Sequence, residues 1–508
     1  MHRIPPLLAL LAATLLLMSV GFVDGRPSVF FDTHSYDVMG RDLIETVRDW
    51  PASNHNKADA HLKIGDRPVP ADRLVNSQVE DARSPYYGLA LHGAYLTTSL
   101  WGLVAMQSVL AAWVIYLLWR TLAPRAPSWS YLAMTAALTV GSSISFFTTF
   151  AMPDIFAGVG GAAVVLILVQ GDRLKKAEIA GLWAIIAYSM AIHRSHWATE
   201  LTVAFGGGAL LWILGLPARS VVRRVLLLCG AAVVAWSAGA LFHQVYMNRT
   251  GQRLTHPPFL LARVLADGSG QALQRAVCNP PGQGRAQPYA VCEFRRMSAS
   301  AELILWSDRP NVGVFNAANW DQRERMEAEE MRFVIAAVKL DPLGQLKASL
   351  GNWGQQLLAY RVDDPLQDPG GYLLGPYWPN TSLPRLIPNL KVCRPIGACR
   401  PPFDAAVLAD WHGLVLAASL LLIAGRLSRR DVRAALWRRG LKEDPARVAA
   451  TVLLLVAVVV VNDAVCGILA GPFNRYEARL IWLLPLAAGL IVCGLPMGRL
   501  GMFRPRPS

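Results

Sequence analysis

Long apolar runs separated by short polar segments dominate this chain. About ten of them reach the roughly 20 residues that a helix needs to cross a bilayer core of about 30 Å. In lipid, a helix satisfies its own backbone hydrogen bonds over such a length, whereas an open strand does not. The pattern therefore predicts an all-α polytopic membrane protein with spans near residues 5–23, 101–120, 130–149, 155–171, 178–194, 198–215, 223–243, 404–425, 448–469 and 478–496.

Composition supports this class. Of the 508 residues, 53% are hydrophobic and only 17% are charged, whereas soluble domains carry about 25% charged residues. The formal net charge is +14 at pH 7, so the placement of the basic residues decides what this charge means.

Arginine and lysine lie where the cytoplasmic loops would be if both termini were cytoplasmic. Short cytoplasmic loops hold an excess of these residues, and the inner segments are all basic: residues 120–125, 173–176, 219–224, 426–447 and 499–506. Much of the charge therefore reflects topology and contact with membrane lipids. We expect no nucleic-acid binding, because no soluble surface interleaves basic and aromatic residues.

The first apolar segment allows two interpretations. Met1-His2-Arg3 followed by Leu7–Val20 could form a cleaved signal peptide, although no clear small-residue cleavage site follows. Retained, the segment is the first span. Both interpretations place Asp32 on the outer side of the membrane.

Two long segments face outward in this topology, residues 24–100 and 244–403. They divide the chain into a seven-span module over residues 1–243, an outward domain over 244–403 and a three-span module over 404–508. The apolar stretch Gly88–Leu100 would break the alternation of basic loops if it crossed the membrane. We therefore expect it to form a helix in the membrane interface.

Cysteine placement indicates an oxidising compartment on the outward side. The outward domain contains Cys278, Cys292, Cys393 and Cys399, and the other three cysteines fall within predicted spans. Proximity in sequence favours pairing Cys278 with Cys292 and Cys393 with Cys399. A zinc site is the alternative, although the paired Cys-x2-Cys spacing typical of one is missing.

Four polar motifs fall at the outward ends of predicted spans, where helices far apart in sequence can converge. They supply carboxylates, imidazoles and guanidinium groups. Arginine binds phosphate through charge-assisted hydrogen bonds, and a carboxylate can act as general base on a hydroxyl. The motifs are Val29–Asp37 with Asp32, Met152–Asp154, His193–His196 and Asn474–Arg479.

Each motif also has a purely structural interpretation. Asp32 could cap a helix beginning near Ser35, and Asp154 could cap the helix that follows it. The His193–His196 motif could anchor a helix end, and Arg475 and Arg479 could contact lipid head groups. Positive charge on the outer side nevertheless runs against the positive-inside tendency, which favours an anionic ligand.

In this order of parts the chain resembles the GT-C superfamily of membrane glycosyltransferases. The resemblance rests on the early Asp32, the entry Arg83, Pro85 and Tyr86 into an interfacial helix, the Pro153-Asp154 turn, a seven-span module before the outward domain, and Arg475-Tyr476 ahead of an apolar span with Pro485. The chain is also similar to a group of uncharacterised bacterial membrane proteins, in stretches like Phe259–Arg263 and Arg475–Pro485.

The resemblance implies a function. The enzyme would move a sugar from a polyprenyl-phosphate carrier to a glycan or lipid acceptor hydroxyl, at the periplasmic face of a bacterial inner membrane. Asp32 matches the catalytic aspartate, with Asp154 in support. The substrate- and phosphate-binding candidates are Arg83, Tyr86, His193, Arg194, His196, Arg475, Tyr476 and Arg479.

The first outward loop departs from the metal-dependent members of that superfamily. Those members carry closely spaced acidic pairs, whereas Asp32 and Asp37 are not an Asp-x-Asp pair. We therefore expect no cofactor, and we expect arginines, not a divalent metal, to neutralise the leaving phosphate.

Two other functions remain open. A polysaccharide ligase or polymerase using a diphosphate-linked oligosaccharide would depend on outward-domain arginines, namely Arg253, Arg263, Arg295 and Arg296. A transporter or non-catalytic assembly component would place ionisable residues at mid-membrane depth, for which Asp463 and Glu200 are the candidates.

Overall fold

A computed structural model describes residues 4–48, 63–64, 67–68, 83–250, 254–279, 286–294, 297–309, 311–366, 382–387, 403–438, 441 and 443–495. This part of the chain is helical, apart from the two-residue antiparallel strands β1 (Lys63–Ile64) and β2 (Arg67–Pro68). The predicted all-α class is thereby confirmed for the described residues.

The N-terminal helices surround one apolar core. Val159, Leu166 and Leu168 of α8 lie at its centre, and every residue of α8 is buried. The helices are α1 (Pro6–Leu17), α2 (Ser19–Asp24), α3 (Phe31–Arg48), α4 (Pro85–Thr98), α5 (Leu100–Leu122), α6 (Trp129–Gly141), α7 (Ile144–Thr148), α8 (Ile155–Gln170), α9 (Lys176–Ile192), α10 (Arg194–Ile213) and α11 (Ala218–Thr250).

The middle of the chain builds a second apolar core, around Leu265, Phe315 and Phe333. Around it lie α12 (Phe259–Asp267), α13 (Ser269–Val277), a 3-10 turn (Ala290–Glu293), α14 (Ala301–Trp306) and α15 (Trp320–Leu340). The chain continues through α16 (Pro342–Gln356), α17 (Asp363–Leu366) and α18 (Leu383–Leu386), and Leu383 and Leu386 of α18 belong to the first core. The exact domain boundaries stay a prediction.

The C-terminal helices return to the first core, where Leu455 and Leu486 are buried. They are α19 (Ala405–Leu427), α20 (Arg430–Arg438), α21 (Asp444–Leu469), α22 (Asn474–Ala478) and α23 (Leu483–Gly494).

Within the described ranges, five helical segments are long and apolar enough to cross a membrane, which indicates a membrane protein. They are Leu100–Leu122, Ala218–Asn248, Ala405–Leu427, Asp444–Leu469 and Asn474–Gly494; Pro6–Leu17 and Ile155–Gln170 are apolar but shorter. The count of ten spans, the sidedness of the termini and the periplasmic placement of the loops stay predictions.

Two local predictions about helices need correction. The predicted span 130–149 is interrupted at Ser142 and Ser143, between α6 and α7, and the Ser142 hydroxyl donates to the carbonyl of Leu138 at 2.6 Å. The helix containing Asp32 begins at Phe31, not near Ser35. The apolar stretch Gly88–Leu100 is helical for most of its length, in α4.

Candidate active site

Backbone pairing brings the first two acidic motifs together. The extended segment before α3 lies beside the turn after α7: the Ser28 amide donates to the Thr149 carbonyl at 2.9 Å, and the Ala151 amide donates to the Ser28 carbonyl at 2.8 Å. The Thr33 hydroxyl adds a bond to the Ala151 carbonyl at 3.1 Å. As a result, the N-terminus of α3 and the N-terminus of α8 meet.

Asp32 lies in the first turn of α3 and is held by an ion pair. Arg83 Nη2 donates to its Oδ1 at 2.6 Å, and the two side chains are only 22% and 14% exposed. Burial alone would raise the pKa of the Asp32 carboxyl, but the nearby Arg83 and Arg475 hold this pKa below its ordinary value. Asp32 therefore stays ionised and paired with Arg83.

The crossing of α3 and α4 aligns this pair. A Cβ atom at Gly40 would collide with the carbonyl oxygen of Gly88, and one at Gly88 would lie 2.8 Å from the Gly40 nitrogen. Only glycine at both positions allows the two helices to approach this closely, which brings Arg83, just before α4, to the start of α3.

Arg475 lies among three carboxylates without a hydrogen bond to any of them. Its guanidinium nitrogens are 3.9 Å from Asp32, 3.7 Å from Asp154 and 3.6 Å from Asp364. The group stacks 4.6 Å from the centre of the Phe30 ring, and its Nη1 is buried with no hydrogen-bond partner among the described residues. Arginine normally satisfies several of its five donors when buried, so this group has unused donor capacity.

Arg479 and Asp154 form a second layer behind Arg475. Arg479 is fully buried; its Nη1 lies 3.5 Å from Asp154, and its Nη2 donates to Ser195 Oγ at 2.9 Å and to Asn462 Oδ1 at 3.0 Å. Asp154 occupies the N-cap of α8 but makes no side-chain capping hydrogen bond. Its carboxylate faces the two arginines, so the capping interpretation does not describe it.

Asp364 belongs to the cluster and escaped the sequence analysis. It lines the same cavity as Asp32 and Arg475. Burial raises the pKa of its carboxyl to about 6, and the negative charges of Asp154, Asp363 and Asp32 add to the effect against the opposing charge of Arg475. The adjacent acidic pair Asp363-Asp364, in a segment assigned to the outward side, was the signal that could have identified it.

The other predicted site residues divide into two groups. Tyr86, His193, Arg194 and Tyr476 line the cavity, whereas His196 is 1% exposed and its Nδ1 lies 3.2 Å from the Ser189 hydroxyl. Neither His196 nor Arg479 is part of the cavity wall in the described residues. These two support the site from behind and do not face a ligand.

Several of the cavity-lining groups already have structural partners. His193 caps α10 by accepting from the Ser195 amide at 3.3 Å. Arg194 bonds His256, and the Tyr86 hydroxyl donates to the Ala238 carbonyl at 2.5 Å. Arg475, by contrast, makes ion pairs and ring contacts but no side-chain hydrogen bond with the described residues.

The cavity itself has a volume of about 1980 Å³, larger than the roughly 300–1,000 Å³ typical of small-molecule sites. Charged residues around Arg475 form one end. Another part of the wall comes from α11, with Trp236, Ala240 and Met247 beside the polar His243 and Gln244. Only 22% of the apolar window of α11 is buried, and Trp236 is 68% exposed, so an apolar wall adjoins the outside of the bundle. An amphiphilic substrate fits both ends.

The described residues hold no group of three or more His, Cys, Asp or Glu side chains placed to bind a metal ion. Around Arg475 the carboxylates face a guanidinium, which would repel a cation. The donor set therefore does not fit a divalent metal.

Neither a family model, nor a curated protein, nor a solved structure matches this chain. Functional inference therefore rests on the residues of the site and their geometry.

The structure describes only one of the two predicted cysteine pairs. Cys278 and Cys292 are joined by a disulfide, with Cα atoms 5.4 Å apart. Cys393 and Cys399 lie outside the described residues.

Proposed function

We propose that this cavity transfers a sugar from a polyprenyl-phosphate carrier to the hydroxyl of a glycan or lipid acceptor, at the periplasmic face of a bacterial inner membrane. The observation that carries the proposal is Arg475: a buried guanidinium with unused donors, at the polar end of a large cavity whose other wall is apolar. A lipid-linked phosphate has this same division into an anionic head and an apolar tail.

The proposed chemistry is a single displacement with inversion. The acceptor oxygen forms a bond to the anomeric carbon of the sugar while the bond from that carbon to the phosphate oxygen breaks. The phosphate leaves with the electron pair and is stabilised by Arg475, and the acceptor proton passes to a carboxylate. No oxidant, reductant or further co-reactant is required.

Asp364 suits the role of proton acceptor better than Asp32. A general base works best when its pKa lies near the operating pH, and burial raises the pKa of Asp364 to about 6. Asp32 is held ionised by Arg83 at 2.6 Å, which makes it a weaker base. In this proposal Asp32 fixes Arg83 and Arg475 in place, Asp154 orients Arg475 and Arg479, and Asp364 takes the proton.

The ligase alternative receives less support. Arg263 donates to Asp267 at 2.5 Å and to the Ala470 carbonyl at 3.2 Å and does not line the cavity among the described residues. Arg253, Arg295 and Arg296 lie outside the described residues.

One observation favours the transport alternative as a second candidate. Asp463 and Glu477, in helical segments apolar enough to span a membrane, are 0% and 1% exposed, and Glu200 is fully buried on α10. Such buried ionisable groups are typical of ion pathways. Proton flux into proteoliposomes, abolished by Asp463→Asn, would favour transport over transfer.

Binding of the carrier tests the proposal directly. Purified protein in nanodiscs should bind undecaprenyl phosphate, and Arg475→Gln should weaken this binding by roughly 1.5–3 kcal/mol, the range for hydrogen bonds to charged groups. Native mass spectrometry at several lipid concentrations measures the change.

Arg361→Gln is the matched control, because Arg361 is a 48% exposed arginine that pairs with Asp363 and does not line the cavity. It should bind the carrier like the wild type. If the wild type and Arg475→Gln bound the carrier with equal affinity, Arg475 would not be a phosphate ligand and the proposal would lose its main support.

A further inference from the structure

Helix α16 turns its polar side toward the protein. Gln345 Nε2 donates to Asp267 Oδ2 at 2.7 Å, and Asn352 Nδ2 donates to Asp267 Oδ1 at 2.9 Å. Gln356 is fully buried; it donates to the Phe473 carbonyl at 3.0 Å and accepts from the Phe473 amide at 2.9 Å. The inner face of this helix is thus built on hydrogen bonds.

The outer face of the same helix is apolar. Leu343, Leu346 and Leu350 are 78%, 55% and 51% exposed. Their spacing of three and four residues places them on one side of the helix. A surface helix of a water-soluble domain has the reverse arrangement, with its apolar stripe facing the core. Leaving a leucine in water forgoes about 1.5–3 kcal/mol of burial free energy.

The preceding helix extends this apolar surface over only part of its length. In the second half of α15, Met331, Ile335 and Val338 are 54%, 48% and 36% exposed. The first half instead carries charges, among them Asp321, Glu324 and Arg325. Arg332, which is 64% exposed, and Lys339 are the charged residues of this second half. The helix therefore changes from predominantly charged to predominantly apolar, as expected where it passes from water into an apolar medium.

Helix α16 is packed on a helix that is itself long and apolar enough to span a membrane. A side chain at Gly467 of α21 would come within 2.9 Å of the Asn352 carbonyl, so the two backbones touch. The last residue of α21, Leu469, is 44% exposed, so exposed apolar surface is also present at the end of the helix against which α16 packs. Lys339 and Lys347 are exposed beside it and can reach lipid phosphates with their ammonium groups.

We propose that the exposed face formed by Leu343, Leu346, Leu350, Met331, Ile335 and Val338, here called the leucine face, lies in the lipid of the bilayer. The segment between α11 and α19 is then partly inserted in one leaflet, and not a domain dissolved in water beside it. This inference does not depend on the proposed sugar transfer.

Site-specific photocrosslinking tests the inference in the full-length protein in phospholipid vesicles. p-Benzoylphenylalanine in place of Leu346, and separately in place of Leu350, should give on irradiation a protein whose mass increases by one phospholipid. The same group in place of Glu324, an exposed position on the charged half of α15, should give several-fold less of this adduct.

Three results would overturn the inference. A covalent dimer from position 346 or 350 would show that a second copy covers the leucine face. Crosslinks from those positions into residues 367–402 of the same chain would show that this chain covers it. A lipid yield no higher than that at position 324, in variants that remain monodisperse after purification, would place the leucine face in water.

Discussion

The arginines of the site differ mainly in how many hydrogen bonds their guanidinium groups make to protein acceptors. Arg83 and Asp32 make a short, well-shielded pair, and Arg479 makes four polar contacts in a fully buried position. Arg475 holds three carboxylates at 3.6–3.9 Å, where Coulomb attraction persists but hydrogen bonds do not form. A phosphate oxygen at hydrogen-bond distance would therefore satisfy Arg475 without displacing an existing hydrogen bond.

The pH dependence of transfer should identify the base. If Asp364 accepts the proton, transfer requires its ionised form, so the rate should rise with pH through about 6 and then level off. Asp364→Asn should remove this acidic limb and lower the rate by about 10²–10⁴-fold, the usual contribution of a general base. Single-turnover rates with a lipid-linked sugar between pH 5 and 8 measure both effects.

Asp363→Asn serves as the neighbouring control. Asp363 accepts from Asn474 at 2.7 Å and does not line the cavity among the described residues, so the variant should keep the acidic limb. The limb should move to lower pH, because the charge of Asp363 contributes to the raised pKa of Asp364. Loss of the acidic limb in Asp32→Asn, with the limb retained in Asp364→Asn, would assign the base to Asp32.

The sequence predicts which residues are candidates for the site better than it predicts which residues contact each other. Arg475 and Asp32 stood out because charges are rare at apolar helix ends. Asp364 did not, because no local pattern reports that a short helix far along the chain folds back onto α22. Similarly, the sequence proposed Arg479 and His196 as ligands, but only packing shows that their side chains are buried behind the cavity.

Among helices, close approach determines where the charged residues meet. The contact of α3 with α4 depends on Gly40 and Gly88, whose Cα atoms leave room for the opposing backbone. Hydropathy predicts that Gly88–Leu100 is a helix but cannot predict which helix crosses it. The crossing depends on two glycines that have no side chain, and hydropathy does not report such a close approach. The interruption at Ser142 escaped prediction for a related reason: apolar composition continues through residues 130–149 although the backbone turns.

Substituting the crossing glycine should separate these helices. Gly40→Ala places a methyl group against the Gly88 carbonyl and should destabilise the protein by about 1–3 kcal/mol, as overpacking usually does. Gly93→Ala, on α4 with nothing within 4 Å of its added Cβ, should instead be neutral or stabilising by up to about 1 kcal/mol.

Thermal unfolding in detergent, followed by the loss of monodisperse protein, compares the two variants. A Gly40→Ala protein as stable as Gly93→Ala would mean that α3 and α4 do not touch at this point.

On the scale of the whole molecule, charge and cysteine placement give one consistent orientation. The basic segments such as 426–447 are predicted to be cytoplasmic, and the Cys278–Cys292 disulfide is expected in an oxidising compartment. The two inferences use independent residues, and both predict that the ends of the chain and its middle lie on opposite sides of the membrane.

Thiol labelling of intact cells tests this orientation. After mild reduction, a membrane-impermeant maleimide should label Cys278, which is half-buried and predicted to face the periplasm, in preference to Cys292, which is 1% exposed. A cysteine introduced by Arg430→Cys, within the basic segment 426–447, should react only after the inner membrane is permeabilised. Labelling of position 430 in intact cells, while Cys278 stays unlabelled, would show that the predicted orientation is reversed.

The charges around Arg475 also make carrier binding and sugar transfer depend on pH in opposite directions. Three aspartates, at 32, 154 and 364, balance three arginines, at 83, 475 and 479, so an incoming phosphate adds negative charge without a counterion. Proton uptake by Asp364, whose carboxyl has a pKa of about 6, would relieve that excess. Carrier affinity should therefore increase as pH falls, whereas turnover should increase as pH rises. Since the bound phosphate and the proton on Asp364 favour each other, the pH at which the rate reaches half of its plateau should move to higher values as the carrier becomes abundant in the membrane.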